Sequence, residues 1–173
     1  YLAQDRCDLS EASKTLARKM QQPNQGFMSL LRRVGRYLLK HPQVRRIIQD
    51  SELPEKIRIF VDSDHAGCAV TRKSTTGFVS RLGHSTVKHG SNLQSTTALS
   101  SGESEYYALV KASKEGLGLQ SLLQDWGLDL PLEVSSDSSA ARGHVARRGL
   151  GKMRHIQTRY LWVQERVGEG HLR

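Results

Sequence analysis

Ile57-Arg58-Ile59-Phe60-Val61-Asp62-Ser63-Asp64 is the stretch that decides the fold, because Ile57, Ile59 and Val61 occupy alternate positions and an aspartate follows them at once. Such alternation predicts a β-strand with one buried face. A second apolar run, residues 132–136, also leads directly into an acid, Asp137. Two strands that each end on a carboxylate indicate an α/β domain with a site at one edge of its sheet.

The residues between these two strands predict a meander followed by a crossover helix. Residues 78–82 and 85–89 form two short strands joined by a turn at Gly83-His84. Ser100 then begins a long helix, with Glu103 placed to complete a capping box. A right-handed crossover makes the fourth strand parallel to the first, so that both carboxyl ends lie at the same edge of the sheet.

Helical segments are predicted at both ends of the chain. Residues 8–23 and a segment from Asn24 onward favour helices separated by Pro23, and the polar stretch 49–55 marks a boundary. After the fourth strand, a short helix through Val145 and another over residues 156–167 are expected. We therefore predict two parts: a helical appendage over residues 1–50, and an α/β domain over residues 51–173.

Asp62, Glu105 and Asp137 are the candidate metal ligands, because this topology brings two strand ends and one helix together. Three carboxylates in close contact repel one another unless a cation is present. Mg²⁺ prefers a few carboxylate oxygens together with water and phosphate. Two such ions about 4 Å apart can activate water for phosphodiester cleavage. The alternative is that each acid only forms a turn or caps a helix; Asp64 is a further candidate ligand.

The charge of the chain is unevenly distributed around these acids. The net charge is +9, with +6 in residues 1–50, −3 in residues 51–140 and +6 in residues 141–173. This distribution is typical of a metal site bordered by phosphate-binding surface, although basic helices can also be simple solvated faces. The run Arg72, Lys73, Ser74 and Thr75 is the predicted contact with substrate phosphates; a solvated hairpin loop is its alternative.

Several classes of protein are disfavoured by the sequence. No apolar run approaches the roughly 20 residues that span a bilayer, and the N-terminus has no signal-peptide pattern. Cys7 and Cys68 are isolated, which argues against a disulfide framework and a zinc site. We expect a protein of the cytoplasm or the nucleus that is not secreted, with no membrane partner and no small-molecule cofactor.

Five motifs occur in one order along the chain: Val61-Asp62-Ser63-Asp64-His65-Ala66-Gly67, Arg72-Lys73-Ser74-Thr75-Thr76-Gly77-Phe78, Ala98-Leu99-Ser100-Ser101-Gly102-Glu103-Ser104-Glu105-Tyr106, Asp137-Ser138-Ser139-Ala140 and Arg154-His155-Ile156-Gln157-Thr158-Arg159-Tyr160. With these motifs the chain resembles the ribonuclease H domain of the Pol polyprotein of copia-type (Pseudoviridae) LTR retrotransposons. Residues 1–40 look like the segment that closes the reverse transcriptase of the same polyprotein. The resemblance covers nearly the whole chain.

The resemblance implies an RNase H-like fold: a mixed sheet of three antiparallel strands plus a parallel fourth strand, with flanking helices. It implies Mg²⁺-dependent (or Mn²⁺-dependent) endonucleolytic hydrolysis of the RNA strand of RNA–DNA hybrids during retrotransposon reverse transcription. By motif position, Asp62, Glu105 and Asp137 are the implied catalytic residues and metal ligands. The implied partners are the hybrid and the reverse transcriptase domain, in a virus-like particle or the nucleus.

Two departures from the family pattern leave an alternative open. Members of the family continue into a fifth strand and a helix with a fourth acid, so we expect this C-terminal strand and helix to be missing here. Gln157 also stands where many members have aspartate. The alternative function is a catalytically inactive nucleic-acid-binding remnant of a degenerate retrotransposon copy. A junction or transposase-type nuclease of the same fold is disfavoured by residues 72–77 and 100–106.

Overall fold

The computed structural model describes residue 3 and residues 6–48 and 54–173. The chain divides into two compact units, Tyr1–Ile47 and Ile48–Arg173. The boundary expected between residues 50 and 51 lies outside the described residues. Across the described ranges, no helix has both the length and the apolar character needed to cross a membrane.

The first unit is built from short helical elements. A 3₁₀ turn over Cys7–Leu9 leads into helix α1, Ser10–Ala17. Helix α2 covers Gln25–Lys40, and its cap is Asn24, whose side chain accepts a 2.9 Å hydrogen bond from the backbone N–H of Phe27. The two predicted helices are therefore present, although the first ends several residues before the proline.

Asp8 does not cap the first helix, although its spacing to Glu11 predicts a capping pair. Its carboxylate instead accepts hydrogen bonds from the guanidinium of Arg6 and the hydroxyl of Tyr37, both at 2.8 Å. The bond from Arg6 is the main reason that the pKa of Asp8 is lowered to about 2. The contacts with Arg6 and with Tyr37 of α2 thus take the place of the predicted cap.

The second unit contains a mixed four-stranded sheet in the order β3-β2-β1-β4. The strands are β1, Ile57–Ser63; β2, Thr75–Leu82; β3, Ser85–Leu93; and β4, Leu132–Ser135. β1 to β3 form an antiparallel meander, and β4 pairs with β1 in parallel. This is the predicted mixed sheet, and with its crossover and flanking helices it confirms the RNase H-like fold.

Within residues 54–173, three α-helices accompany the sheet. Helix α3, Ser101–Asp125, is the crossover connection; helices α4, Ser139–Val145, and α5, Trp162–Gly168, follow β4. The hydroxyl of Ser100 caps α3 as predicted, accepting a 3.2 Å hydrogen bond from the backbone N–H of Glu103. This cap fixes where the helix begins, one turn before Glu105.

The hydrophobic core lies between α3 and the sheet. Ile57 and Ile59 of β1 are fully buried there, and Leu132 of β4 is nearly so. Burying such a side chain is worth about 1.5–3 kcal/mol. At Gly116 the helix comes so close that an added Cβ would lie 2.6 Å from Cδ1 of Ile59 and 2.8 Å from Leu132. The absence of a side chain at Gly116 therefore allows the helix to pack closely on β1 and β4, the strands that lead to Asp62 and Asp137.

The predicted helix over residues 156–167 is wrong in its first half. A 3₁₀ turn, Thr158–Tyr160, precedes α5 instead. The hydroxyl of Tyr106 donates a 2.7 Å hydrogen bond to the carbonyl of Tyr160, and the backbone N–H of Gln164 bonds to Leu161. The tertiary contact thus takes the carbonyl that a continuous helix would use.

The free edge of β4 is partly covered by the last residues of the chain. Leu172 pairs in parallel with Leu132. The backbone N–H of Val134 donates to the carbonyl of Arg173 at 2.7 Å, and the N–H of Arg173 donates to Leu132 at 3.1 Å. These residues form an isolated bridge beside β4, and the sheet of the described residues keeps its four strands.

Candidate metal centre

The structure brings Asp62, Glu105 and Asp137 together. One carboxylate oxygen from each residue lies within 4.8 Å of the other two. Asp62 comes from β1 and Glu105 from the second turn of α3, whereas Asp137 follows β4. The three residues chosen from the sequence are thus neighbours in space; their role as ligands stays a prediction.

The parallel register of β1 and β4 explains why the two aspartates meet. Phe60 is paired with Ser135, and each aspartate lies two residues beyond its member of that pair. The chain leaves both strands in the same direction, so both carboxylates lie at the same edge of the sheet. Both aspartates are exposed. The site is therefore open to a solvent-borne ligand on this side.

Glu105 contributes the buried carboxylate of the site, with 9% of the residue exposed. Its Oε1 accepts a 3.2 Å hydrogen bond from the backbone N–H of Ser63. Its Oε2 is buried and has no hydrogen-bond partner among the residues that the structure describes. Burial raises the pKa of Glu105, and the nearby negative charges of Asp62 and Asp137 raise it further. The hydrogen bond from Ser63 acts in the opposite direction, but the net pKa is raised.

These properties fit a hard divalent cation. A buried carboxylate oxygen without a partner is costly, because it has lost water and gained no hydrogen bond. Three neighbouring acids are also mutually repulsive without a counter-cation. An ion with carboxylate oxygen ligands removes both penalties, and the donor set of three carboxylates suits Mg²⁺ or Mn²⁺ rather than a thiol-seeking metal.

Glu103 lies close to this group but has different contacts. Its Oε2 accepts a 2.9 Å hydrogen bond from the backbone N–H of Leu99 and lies 2.9 Å from Nε2 of His155; its Oε1 accepts a 2.8 Å bond from the hydroxyl of Tyr107. Burial works against ionisation of Glu103, but these hydrogen bonds outweigh it and lower its pKa. Its bond to the backbone just before Ser100 fits the predicted capping role. No sequence pattern predicts the contact with His155.

Asp64 is also placed differently from the three clustered acids. Its Oδ1 accepts a hydrogen bond from the backbone N–H of Thr75, and its own N–H donates to the carbonyl of Thr75 at 3.2 Å. The two bonds close the base of the loop between β1 and β2. Asp64 therefore shapes the loop, and it is not among the clustered acids.

The four predicted substrate contacts have unequal access to solvent. Arg72 is exposed and Lys73 and Thr75 are partly exposed, whereas Ser74 is fully buried. The hydroxyl of Ser74 accepts a 3.0 Å hydrogen bond from the backbone N–H of Ala66. The predicted phosphate contact of Ser74 is therefore corrected: its side chain is enclosed in the loop, and the accessible cations are Arg72 and Lys73, which precede it.

The backbone of this loop is strained at two positions. Ala66 and Arg72 have φ angles of 53° and 55°, in the left-handed region that residues with a Cβ avoid. Such a conformation costs on the order of 1 kcal/mol and persists where the surroundings enforce it. The backbone N–H of Arg72 donates a 2.7 Å bond to the carbonyl of Cys68, and the N–H of Cys68 donates to Lys73 at 3.1 Å. These bonds hold the strained turn and present the cations at the loop surface.

Comparison with known proteins identifies the family of the chain. No protein-family model matches it. It is 31% identical over 176 residues to the retrovirus-related Pol polyprotein from transposon RE2 of Arabidopsis thaliana, covering 100% of this chain. The chain belongs to the copia-type retrovirus-related Pol family. It spans only 12% of the length of that relative.

Two further proteins are similar to this member of the Pol family. An uncharacterized mitochondrial protein of Arabidopsis thaliana is 36% identical over 115 residues, which are 66% of this chain and 48% of that protein. Among solved structures, LC11-RNase H1, isolated from compost by a metagenomic approach, matches with a TM-score of 0.46 and 19% identity. That match covers 68% of this chain and 81% of the other.

Glu105→Gln is expected to raise the free energy of unfolding of the metal-free chain by about 1 kcal/mol at pH 7. The change removes a buried charge and its repulsion with the two aspartates. Because folding raises the pKa of Glu105, the native state binds this proton more tightly than the unfolded chain, and ionisation costs stability as the pH rises. The advantage of the variant should therefore vanish below about pH 4, near the ordinary pKa of glutamate.

Urea denaturation in EDTA at both pH values measures this difference. Glu165→Gln, at an exposed position of α5, is the control for loss of a negative charge and should change stability little. If Glu105→Gln is less stable than the native chain at pH 7 in EDTA, the three acids are not in the repulsive arrangement described.

Proposed function

We propose that the chain catalyses Mg²⁺-dependent endonucleolytic hydrolysis of the RNA strand of RNA–DNA hybrids during retrotransposon reverse transcription. The observation that carries the proposal is the meeting of three carboxylates, from β1, α3 and the end of β4, at one open edge of the sheet. Membership of the Pol family supports the reaction class, because a retrotransposon needs its RNA template removed after copying. No covalent enzyme intermediate is required, since water is the nucleophile.

The metal would be bound by Asp62, Glu105 and Asp137, which are also the proposed catalytic residues. When bound, the divalent ion supplies positive charge that activates water and stabilises the leaving oxygen. The two exposed aspartates face the side from which a phosphodiester approaches. Glu105 supplies a carboxylate oxygen from the protein interior, where its hydrogen bond with Ser63 limits its movement.

Arg72 and Lys73 would contact the phosphates of the nucleic-acid backbone beside this site. Thr75, at the end of the same loop, would be a further contact. Their loop leaves β1 just after Asp62 and returns as β2, so its cations are presented near the open edge. A hybrid bound in this way is recognised through phosphates and 2′-hydroxyls, with no dependence on base sequence. The prediction that Ser74 contacts substrate is replaced by a structural role for its hydroxyl in the loop.

The larger Pol polyprotein would supply the remaining partner. We propose that residues 1–50 belong to the end of a reverse transcriptase, and that residues 51–173 form the RNase H domain that follows it, acting inside the cell. The length ratio to the RE2 polyprotein supports a multidomain context. The basic side chains Arg32, Arg33 and Arg36 on α2 favour contact with a nucleic-acid duplex.

Asp62→Asn is expected to lower the cleavage rate of a labelled RNA–DNA hybrid in Mg²⁺ by at least about 100-fold, because it removes one of the three charged ligands. Binding of the hybrid should change little, since affinity depends mainly on contacts with phosphates. Gel analysis of RNA cleavage and fluorescence anisotropy in Ca²⁺ measure the two quantities separately. Asp125→Asn, at the far end of α3, is the matched control and should keep native activity.

The outcome also separates the two candidate functions. Cleavage of the RNA strand that is lost in Asp62→Asn supports the nuclease. Hybrid binding without any cleavage by the native chain favours the inactive nucleic-acid-binding remnant, for which the basic flanks are sufficient. Native cleavage that persists at full rate in Asp62→Asn contradicts the assignment of the site.

The double variant Arg72→Ala/Lys73→Ala is expected to weaken hybrid binding and to reduce the slope of log K against log salt by roughly two, one for each lost phosphate contact. The cleavage rate at saturating hybrid should be nearly unchanged. The control, Lys56→Ala/Arg58→Ala, makes the same change in net charge at the opposite end of β1, where both cations contact Glu133. Equal salt slopes for the two double variants would show that the loop makes no specific phosphate contact.

A further inference from the structure

His155 reaches from the segment after α4 to the beginning of α3. Its Nε2 lies 2.9 Å from Oε2 of Glu103. The side chain of His155 is 46% exposed, whereas that of Glu103 is 1% exposed. The contact therefore joins a surface imidazole to a carboxylate that is enclosed within the domain.

Glu103 joins the first turns of α3 to two other segments of the domain through its two oxygens. Besides His155, it accepts hydrogen bonds from the backbone N–H of Leu99, just before the helix cap, and from the hydroxyl of Tyr107, one turn later. The first turns of α3 are thus tied to the loop before them and to the segment after α4. A second bond, from Tyr106 to the carbonyl of Tyr160, attaches the same segment nearby.

The position of α3 matters most for Glu105, two residues beyond Glu103. Asp62 and Asp137 each lie two residues beyond the last pair of the parallel ladder, Phe60 with Ser135, so the pairing of the two strands sets where both begin. Glu105 lies on the helix instead, so its distance from both aspartates depends on where the first turns of α3 are held. A shift of the helix start would separate the buried carboxylate from the other two and weaken any metal that needs all three.

We propose that His155 is a positioning residue for the metal centre: its contact with Glu103 holds the first turns of α3 so that Glu105 stays within ligand distance of the two aspartates. The inference rests on the proposed function, since it assumes that these carboxylates bind a divalent ion. His155 itself touches neither metal nor substrate in this account. It acts through Glu103 and the helix.

The test compares Mn²⁺ binding and hybrid cleavage in His155→Ala and His155→Gln, made in the full 173-residue chain. His155→Ala is expected to weaken Mn²⁺ binding, followed by electron paramagnetic resonance without nucleic acid, by roughly tenfold. It should also lower kcat with little change in KM for the hybrid. His155→Gln should restore most of both values, because its amide N–H can reach Glu103 as Nε2 does.

The control is His84→Ala, at the exposed turn between β2 and β3, which should bind Mn²⁺ and cleave as the native chain does. Urea denaturation of every variant separates loss of folding from loss of position. If His155→Ala does not fold, His155→Asn serves in its place, because its side chain is polar but too short to reach Glu103.

A folded His155→Ala or His155→Asn chain with native Mn²⁺ affinity overturns the inference. So does His155→Gln with the same loss as His155→Ala, because the hydrogen bond would then not be the cause. These failures are distinct from failure of the proposed function. In that case the native chain and the His84→Ala control would themselves neither bind Mn²⁺ nor cleave the hybrid.

Discussion

The parallel pairing of β1 with β4 is the constraint on which the rest of the second unit depends. The pairing of Phe60 with Ser135 determines that Asp62 and Asp137 leave the sheet side by side. A one-residue slip would turn each side chain of one strand to the other face, so the register also protects the buried positions of Ile57 and Ile59. The same alignment that builds the core therefore builds two thirds of the candidate site.

The third carboxylate, that of Glu105, is a destabilising group on a helix whose other buried residues belong to the core. α3 approaches the sheet closely at Gly116, which brings Glu105 over the strand ends. Burial and two neighbouring negative charges then oppose its ionisation. The hydrogen bonds of Glu103 fix the start of the same helix without adding a fourth charge to the cluster. Stability and site geometry are thus coupled at the first turns of α3.

The sequence predicts much of this arrangement because the deciding signals are local. Alternation gives β1, the cap at Ser100 gives α3, and the crossover rule gives the parallel fourth strand. Contacts between distant residues are what it misses. The hydroxyl of Tyr106 bonds to the carbonyl of Tyr160, where a continuous helix over residues 156–167 is predicted and a 3₁₀ turn precedes α5 instead. Ser74 turns inward to Ala66, although its neighbours suggest a polar surface loop. The pairing of Leu172 with Leu132 and the contact of His155 with Glu103 depend on tertiary structure in the same way.

The central claim is that Asp62, Glu105 and Asp137 together bind a divalent cation. Anomalous diffraction at the manganese edge, from crystals of the chain grown with Mn²⁺, tests it most directly. The account predicts a peak within coordination distance of carboxylate oxygens from all three residues. A peak at other acids, such as Asp64 alone, or no peak at these three carboxylates in saturating Mn²⁺, would contradict it.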